Sequence, residues 1–231
     1  MLSVRDIEVS YGKSRVIQGI SFDVAQDEKL VIIGRNGVGK TTLLKSIVGL
    51  LSLNQGEISL FNENISKDKA FTRSQKGIAY VPQGREIIPD LTVQENLELG
   101  ALAHKVDYAE KVEEIFEYFP ILKDHLKRKG GVLSGGQQQQ LSIARALMSN
   151  PKILLLDEPT EGIQPNIVME ISNILTRYHQ EKGVPIVVVE QNLKFARKLG
   201  DRFLIIQRGQ IVADGQIDEL TDELSESYLS V

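Results

Sequence analysis

The spacing of hydrophobic and polar positions changes character along this chain. LSVRDIEVS from Leu2, ISFDV from Ile20 and GEISLF from Gly56 alternate with a period of two. That period puts one face of each segment on a core and predicts an antiparallel β lobe at the N-terminus. KLVIIG, KILLLD and PIVVVE are instead unbroken apolar runs that end at Gly34, Asp157 and Glu190. Such runs predict parallel strands covered on both faces. Each is followed by a polar turn and a helical pattern, which predicts a parallel α/β core with ligands gathered at the carboxyl ends of its strands. Between Pro89 and Asn150 the apolar positions recur at helical spacing, as in LTVQENLELGAL and YAEKVEEIFEYF, and Thr92 with Glu95 forms a candidate capping box. A helical lobe, roughly residues 84–148, is therefore expected as an insertion in the core. RFLIIQRGQIVADG predicts a hairpin turning at Arg208-Gly209, and the tail after Asp218 reads as an acidic helix. There are no internal repeats, and the only low-complexity segment is Gln137–Gln140.

Composition narrows the class. The 231 residues, 42% hydrophobic, suffice for one sizeable domain spanning the chain with a core of its own. No apolar run approaches the ~18 residues a membrane span needs, and MLSVRDIEVSYG lacks a signal peptide's apolar block. A cytoplasmic protein is expected. The absence of cysteine removes disulfides and thiol chemistry. A net charge of -4 gives no support to nucleic-acid binding, and the basic run KDHLKRKGG from Lys123 reads as a solvated helix end and loop.

The chemistry concentrates in two places. GRNGVGKT, residues Gly34, Arg35, Asn36, Gly37, Val38, Gly39, Lys40 and Thr41, fits G-x-x-x-x-G-K-[ST] and lies between an apolar strand and a helix that continues through Thr42. Glycines let backbone N–H groups curl around phosphate oxygens, and the helix start adds positive dipole character. Lys40 is expected on the β- and γ-phosphates and the Thr41 hydroxyl on Mg²⁺. In KILLLDEP, Asp157 ends a buried strand where a carboxylate can hold that ion, and Glu158 is placed to orient or deprotonate an attacking water. The second place is LSGGQQQQLSIARAL. Ser134 and Gln137 form a capping box, and Leu141, Ala144 and Leu147 bury one helix face. Gly135 and Gly136 leave bare N–H groups at the helix mouth, as close approach to a phosphate requires. The glutamines after Gln137 read as a solvated or partner-facing side.

These motifs in this order, with LSGGQ just upstream of LLLDEP, resemble the nucleotide-binding subunits of ABC transporters over essentially the whole chain. The resemblance implies a P-loop NTPase core with a parallel sheet, an N-terminal antiparallel β lobe and an inserted α-helical lobe. It implies that Tyr11 stacks on adenine with Val16 beside it, and that Gln83 in AYVPQGRE touches Mg²⁺ or the attacking water. It places TEGIQP in the loop that crosses between subunits. It also implies that Ser134, Gly135, Gly136 and Gln137 serve the ATP of a second ATPase subunit. One departure stands out: where the family usually carries a histidine on the γ-phosphate, IVVVEQN has Gln191, whose amide can hydrogen-bond phosphate but cannot titrate near neutral pH. VPQGREIIPDLTVQENL, DEPTEGIQP and VVVEQN resemble the branched-chain amino acid uptake branch, and VPQGRE with EGIQP is most similar to its urea-transport member. The implied role is the ATPase subunit of a bacterial importer on the inner membrane face. It would work with a permease, an extracytoplasmic solute-binding protein and a second ATPase subunit, in that branch usually a different chain. Urea is the expected solute, with branched-chain amino acids or short amides as the alternative. A soluble ABC ATPase acting on DNA or ribosomes would need long coiled coils or a second cassette, a P-loop kinase would leave LSGGQ unexplained, and intact Lys40, Asp157 and Glu158 argue against a non-hydrolysing module.

Overall fold

The computed structural model describes residues 1–229. It opens with β1 (Leu2–Tyr11) and β2 (Ser14–Val24), paired antiparallel, followed by β3 (Lys29–Ile33), the phosphate loop and α1 (Lys40–Ile47). Then come β4 (Gln55–Leu60), β5 (Glu63–Asn64), α2 (Ala70–Gln75) and β6 (Ile78–Val81). The helical stretch contains α3 (Val93–Leu102), α4 (Tyr108–Tyr118), α5 (Pro120–Lys123) and α6 (Gly135–Leu147). The chain returns through β7 (Ile153–Asp157), α7 (Pro165–Lys182), β8 (Ile186–Glu190), α8 (Leu193–Leu199), the β9 (Arg202–Gln207) and β10 (Gln210–Gln216) hairpin, and α9 (Asp222–Leu229). The last two residues of the acidic tail lie outside the described residues.

Two sheets carry the fold. One is antiparallel in the order β2-β1-β4-β5; the other runs β10-β9-β3-β8-β7-β6, parallel except for the β9–β10 hairpin. The unbroken apolar runs have a direct cause in this arrangement. On β7, Ile153 and Leu155 pack with the antiparallel lobe and α1, while Leu154 and Leu156 pack with the helical lobe. On β8, Val187 and Val189 face the first cluster and Ile186 and Val188 the second. Alternate side chains enter different cores, so no position is left for a polar residue. The expected α/β class, with an antiparallel lobe and an inserted helical lobe, is the observed one.

Both predicted capping boxes form, Thr92 with Glu95 on α3 and Ser134 with Gln137 on α6. The turn at Arg208 and Gly209 has positive φ at both residues, the geometry of a two-residue hairpin. One expectation is corrected. Gln139 and Gln140 are only 3% and 2% exposed, not solvated, because α6 is enclosed by α3, α5 and β6 on several sides. Only Gln137 and Gln138, in its first turn, stay half-buried.

Candidate functional site

The parallel strands deliver their ends to one place. The phosphate loop leaves β3 at Gly34 and enters α1 through Gly39, whose φ of 110° and left-handed conformation glycine adopts without cost. A side chain at Gly39 would meet Ile17 and Val16 within 3.2 Å, so Val16 packs against the loop as expected. No side chain caps α1, which leaves its first-turn N–H groups for an anion. The turn of the C-terminal hairpin supports the loop from behind: the Gly209 N–H donates to Val38 O at 3.1 Å, and Gln18 N donates to Gly209 O at 2.9 Å. Tyr11 lies at the end of β1 with its side chain half exposed, as a stacking ring requires. Arg35, Asn36 and Gly37 are exposed, Val38 half-buried, and Thr42 buried in α1.

Lys40 is almost fully buried. Its ammonium donates to Gly34 O at 2.8 Å and Arg35 O at 3.1 Å, and pairs with Glu158 Oε1 at 2.9 Å. The same carboxylate accepts from Gln191 Nε2 at 3.2 Å and Gln83 Nε2 at 3.4 Å. Gln191 Nε2 also donates to Asn36 Oδ1 at 2.6 Å, and Gln83 Nε2 to Glu161 Oε2 at 2.9 Å. Residues from the phosphate loop, β6, β7 and β8 thus converge on Glu158, which itself sits at φ 46°. Gln83 reaches Glu158 rather than the Thr41–Asp157 pair.

Asp157 forms a second centre. Its Oδ1 accepts from Thr41 Oγ1 at 3.1 Å and its Oδ2 from the Tyr80 hydroxyl at 3.0 Å. Burial pushes its carboxyl up from the usual range, and the two hydroxyl donors pull against that shift. Burial and the neighbouring Asp157 likewise raise the Tyr80 phenol, which stays protonated. A hydroxyl beside a carboxylate is a hard-oxygen pair of the kind Mg²⁺ takes together with phosphate oxygens. Among the described residues no three acidic, histidine or cysteine side chains form a complete metal cage. An ion that completes its shell from substrate phosphates fits this donor set.

Three supporting residues were given no role by the sequence, although Glu190 ends one of its apolar runs. Tyr80 is one. Glu190 is another: it accepts from the backbone N–H groups of Thr160, Gln191 and Asn192 at 2.9–3.1 Å, and so ties the end of β8 to the loop after Glu158. Burial raises its carboxyl, and those hydrogen bonds oppose the shift. Arg73 is the third. It is buried at the far end of α1, and its guanidinium donates to Ser46 O and Ile47 O at 2.7 and 2.8 Å. The signature residues lie elsewhere. Gly135 neighbours Arg85, and Gly136 neighbours Ile167, whose methyl would be 3.0 Å from an added Cβ.

A buried lysine at a glycine-rich helix start after β3, with two consecutive acidic residues at the end of β7, one strand removed from it, defines a P-loop nucleotide hydrolase. The ABC transporter family profile matches residues 17–161, more than half of the chain. The chain is 40% identical over 213 residues to the high-affinity branched-chain amino acid transport ATP-binding protein BraG of Pseudomonas aeruginosa, covering 92% of this chain and 91% of BraG. It is 32% identical over 223 residues to the "Probable branched-chain amino acid transport ATP-binding protein LivF" of Archaeoglobus fulgidus, covering 96% and 94%. Among solved structures it is similar to MJ1267, an ATP-binding cassette of an ABC transporter, with a TM-score of 0.89 and 28% identity over 100% of this chain and 99% of that one. A dimeric post-hydrolysis cassette, MJ0796, bound to ADP and Pi matches with a TM-score of 0.86 and 26% identity over 94% and 99%. The chain belongs to the ABC transporter family, as its ATP-binding subunit, and is an ATPase. Urea, the solute its motifs favoured, has no support in these relatives; the branched-chain amino acid alternative does.

Proposed function

We propose that this chain is the ATP-hydrolysing subunit of an importer for branched-chain amino acids. The convergence of Lys40, Gln83 and Gln191 on Glu158, beside the Thr41–Asp157 pair, carries this reading. The names of BraG and LivF support the solute class.

ATP binds with adenine on Tyr11 and Val16 and its phosphates in the loop from Gly34 to Thr42. The γ-phosphate takes Lys40 away from Glu158. The freed carboxylate then accepts a proton from water as the water oxygen attacks phosphorus in line and ADP departs. Thr41, Asp157 and Gln83 would hold Mg²⁺, which would supply charge neutralisation to the phosphates. Gln191 donates its amide N–H to the γ-phosphate in place of an imidazole. Ser134, Gly135, Gly136 and Gln137 close over the ATP of a second ATPase subunit, so each nucleotide is held from two sides. Nucleotide drives closure because it binds the closed pair better than the open one.

The permease partner has a candidate seat on this chain. A groove of about 490 Å³ lies between α2 and the helical lobe, and its exposed apolar lining includes Leu50, Phe71 and Leu99. Among the described residues no helix is long and apolar enough to cross a membrane, which suits a peripheral subunit on the inner face. Co-purification with the permease and solute-binding protein, followed by ATPase assays with candidate solutes, tests the whole reading. Leucine, isoleucine or valine should raise the rate, and Glu158→Gln should abolish it. Stimulation by urea alone would overturn the solute assignment, and no hydrolysis in the complete assembly would overturn the enzyme reading.

A further inference from the structure

We propose that Arg85 is an ATP-binding residue supplied in trans, its guanidinium meeting the triphosphate held by a second copy of this chain. The proposal rests on the composite site described above and adds a charged residue to it.

Arg85 follows Gln83 by two residues, in a segment where Gly84, Arg85 and Glu86 all have positive φ, at 79°, 73° and 45°. Helix α6 holds that segment: Ser142 Oγ donates to Arg85 O, and Arg145 donates to Glu86 O at 2.7 Å. The backbone so fixed sends the Arg85 side chain to the mouth of α6. Its two terminal nitrogens lie 3.0 and 3.1 Å from where a Cβ on Gly135 would stand, and one lies 3.7 Å from that point on Gly162. The guanidinium therefore bridges the signature glycine and the loop after Glu158. Any side chain at position 135 would displace it, which gives that glycine a use beyond backbone freedom.

The electrostatics of this position favour an anion. Among the described residues Arg85 forms no ion pair, and its side chain makes a single hydrogen bond, from NH1 to Gln138 Oε1 at 3.2 Å. Most of a guanidinium's five donors remain unspent. It also stands at the N-terminal end of a helix, where the peptide dipoles already present positive charge and a cation is disfavoured. A phosphate arriving over Gly135 and Gly136 satisfies both, since a planar guanidinium forks onto phosphate oxygens. The chain's own phosphate loop meets Glu158 through Lys40 and Gln191 through Asn36, and the one hydrogen bond of the Arg85 side chain goes to neither, but to Gln138 of α6. In the composite site the phosphate that reaches the mouth of α6, and with it Arg85, is the other copy's.

The test uses ATP-driven pairing, followed by size, of chains carrying Glu158→Gln to stop turnover. Adding Arg85→Ala should weaken pairing by roughly ten- to hundredfold for each of the two sites, the share of a hydrogen bond to a charged group. Arg85→Lys should restore most of it, and ATP affinity of the separate chain should stay unchanged. The decisive arm mixes Glu158→Gln/Arg85→Ala chains with Glu158→Gln/Lys40→Ala chains. Such a mixed pair has one site with both Lys40 and Arg85 intact if Arg85 acts across the interface, and none if it acts within its own chain. Pairing between unlike chains, captured through a tag on the Lys40→Ala partner, should match that of Glu158→Gln chains with Glu158→Gln/Lys40→Ala chains, a mixed pair that also has one intact site. Failure of the first mixture where the second pairs would overturn the in-trans role, as would undiminished pairing of the Arg85→Ala chains. Ser134→Arg separates the two layers of the argument. If it leaves pairing intact, the composite site itself fails and Arg85 falls with it; if Glu158→Gln chains do not pair with ATP at all, the pairing of identical chains that the proposal requires is refuted. If Ser134→Arg abolishes pairing and Arg85→Ala does not, only the role of Arg85 is lost.

Discussion

Asp157 shows how the site's chemistry opposes its own stability. Its side chain is 1% exposed, and burial raises its carboxyl above the range it has in an unfolded chain. A carboxyl raised in the folded state binds more protons there than in the unfolded state. Its contribution therefore falls as pH climbs from the ordinary carboxylate range through the raised value, and the penalty is fully present at neutral pH. Asp157→Asn removes the charge and keeps the size, while the Thr41 and Tyr80 hydroxyls can still bond the amide. We expect the nucleotide-free protein to melt higher by ~3 °C, about the shift that 1 kcal/mol gives in a domain of this size. The gain should vanish near pH 4, and ATP hydrolysis should be lost at every pH. A lower melting temperature at pH 7 would show that the hydroxyl bonds outweigh burial. Gln191 carries a second expectation at this scale. Its amide touches Asn36 and Glu158 and does not titrate, so Gln191→Ala should slow hydrolysis roughly tenfold, as loss of a hydrogen bond to a charged group does. Gln191→His should keep most of the rate and add a pH dependence near 6.5. Equal rates for wild type and Gln191→Ala would remove Gln191 from the mechanism. Much of this site was legible in sequence, because the glycine-lysine-threonine spacing and the two acids are contiguous runs. Tyr80 and Glu190 were not, because the elements they tie together lie 77 and 30 residues apart and a lone tyrosine or glutamate at a strand end has no pattern that points to such a partner.

At the scale of elements, α1 is held from both ends. Arg73 and Gly49 close its C-terminus, where the guanidinium answers the exposed carbonyls and the negative end of the dipole. Its N-terminus is set by the phosphate loop, and that loop leans on the β9–β10 turn. Gly209 has φ 76°, and a Cβ there would fall 2.0 Å from Val16 O. Gly209→Ala must therefore push the hairpin off β2 or distort the turn, at a cost of about 1–3 kcal/mol. Because Gly209 N–H holds Val38 O, the displacement should reach the phosphate loop and weaken ADP binding several-fold, read by calorimetry. Lower stability with unchanged ADP affinity would confine the hairpin to a structural part. The long elements were readable from periodicity, since β1, β2, α3, α4 and α6 run for many residues on one repeat. β5, α2 and β6 are only two, six and four residues long, too short to establish a period, and the tertiary contacts of the core decide them. The buried Gln139 and Gln140 mark the opposite failure: their polarity suggested solvent, and packing on several sides of α6 overrode it.

In the whole molecule, the proposed permease groove and the hydrolytic site share a wall. Tyr80 lines the groove between the lobes, and its hydroxyl donates to Asp157. The Gln83 segment joins the same two regions, since Asn96 of α3 accepts from Ile88 N and donates to Ile88 O while α6 holds Arg85 and Glu86. A partner seated in the groove can therefore bias both Asp157 and Gln83 without touching nucleotide. Phe71 is the residue to test, because it is 65% exposed on the groove's rim, where its ring has little to lose from substitution in the separate chain. Phe71→Glu buries a charge in any apolar contact there, so it should reduce solute-stimulated ATPase in the assembled transporter at least about thirtyfold, a loss typical of an interface anchor. The separate chain should keep its fold and its ADP affinity. Tyr80→Phe should do something different: the permease still binds, but the hydroxyl link to Asp157 is cut, and stimulation by solute should fall while basal hydrolysis persists. If Phe71→Glu co-purifies with the permease as wild type does, the groove is not the seat. If Tyr80→Phe retains full stimulation, the signal runs through the Gln83 segment alone.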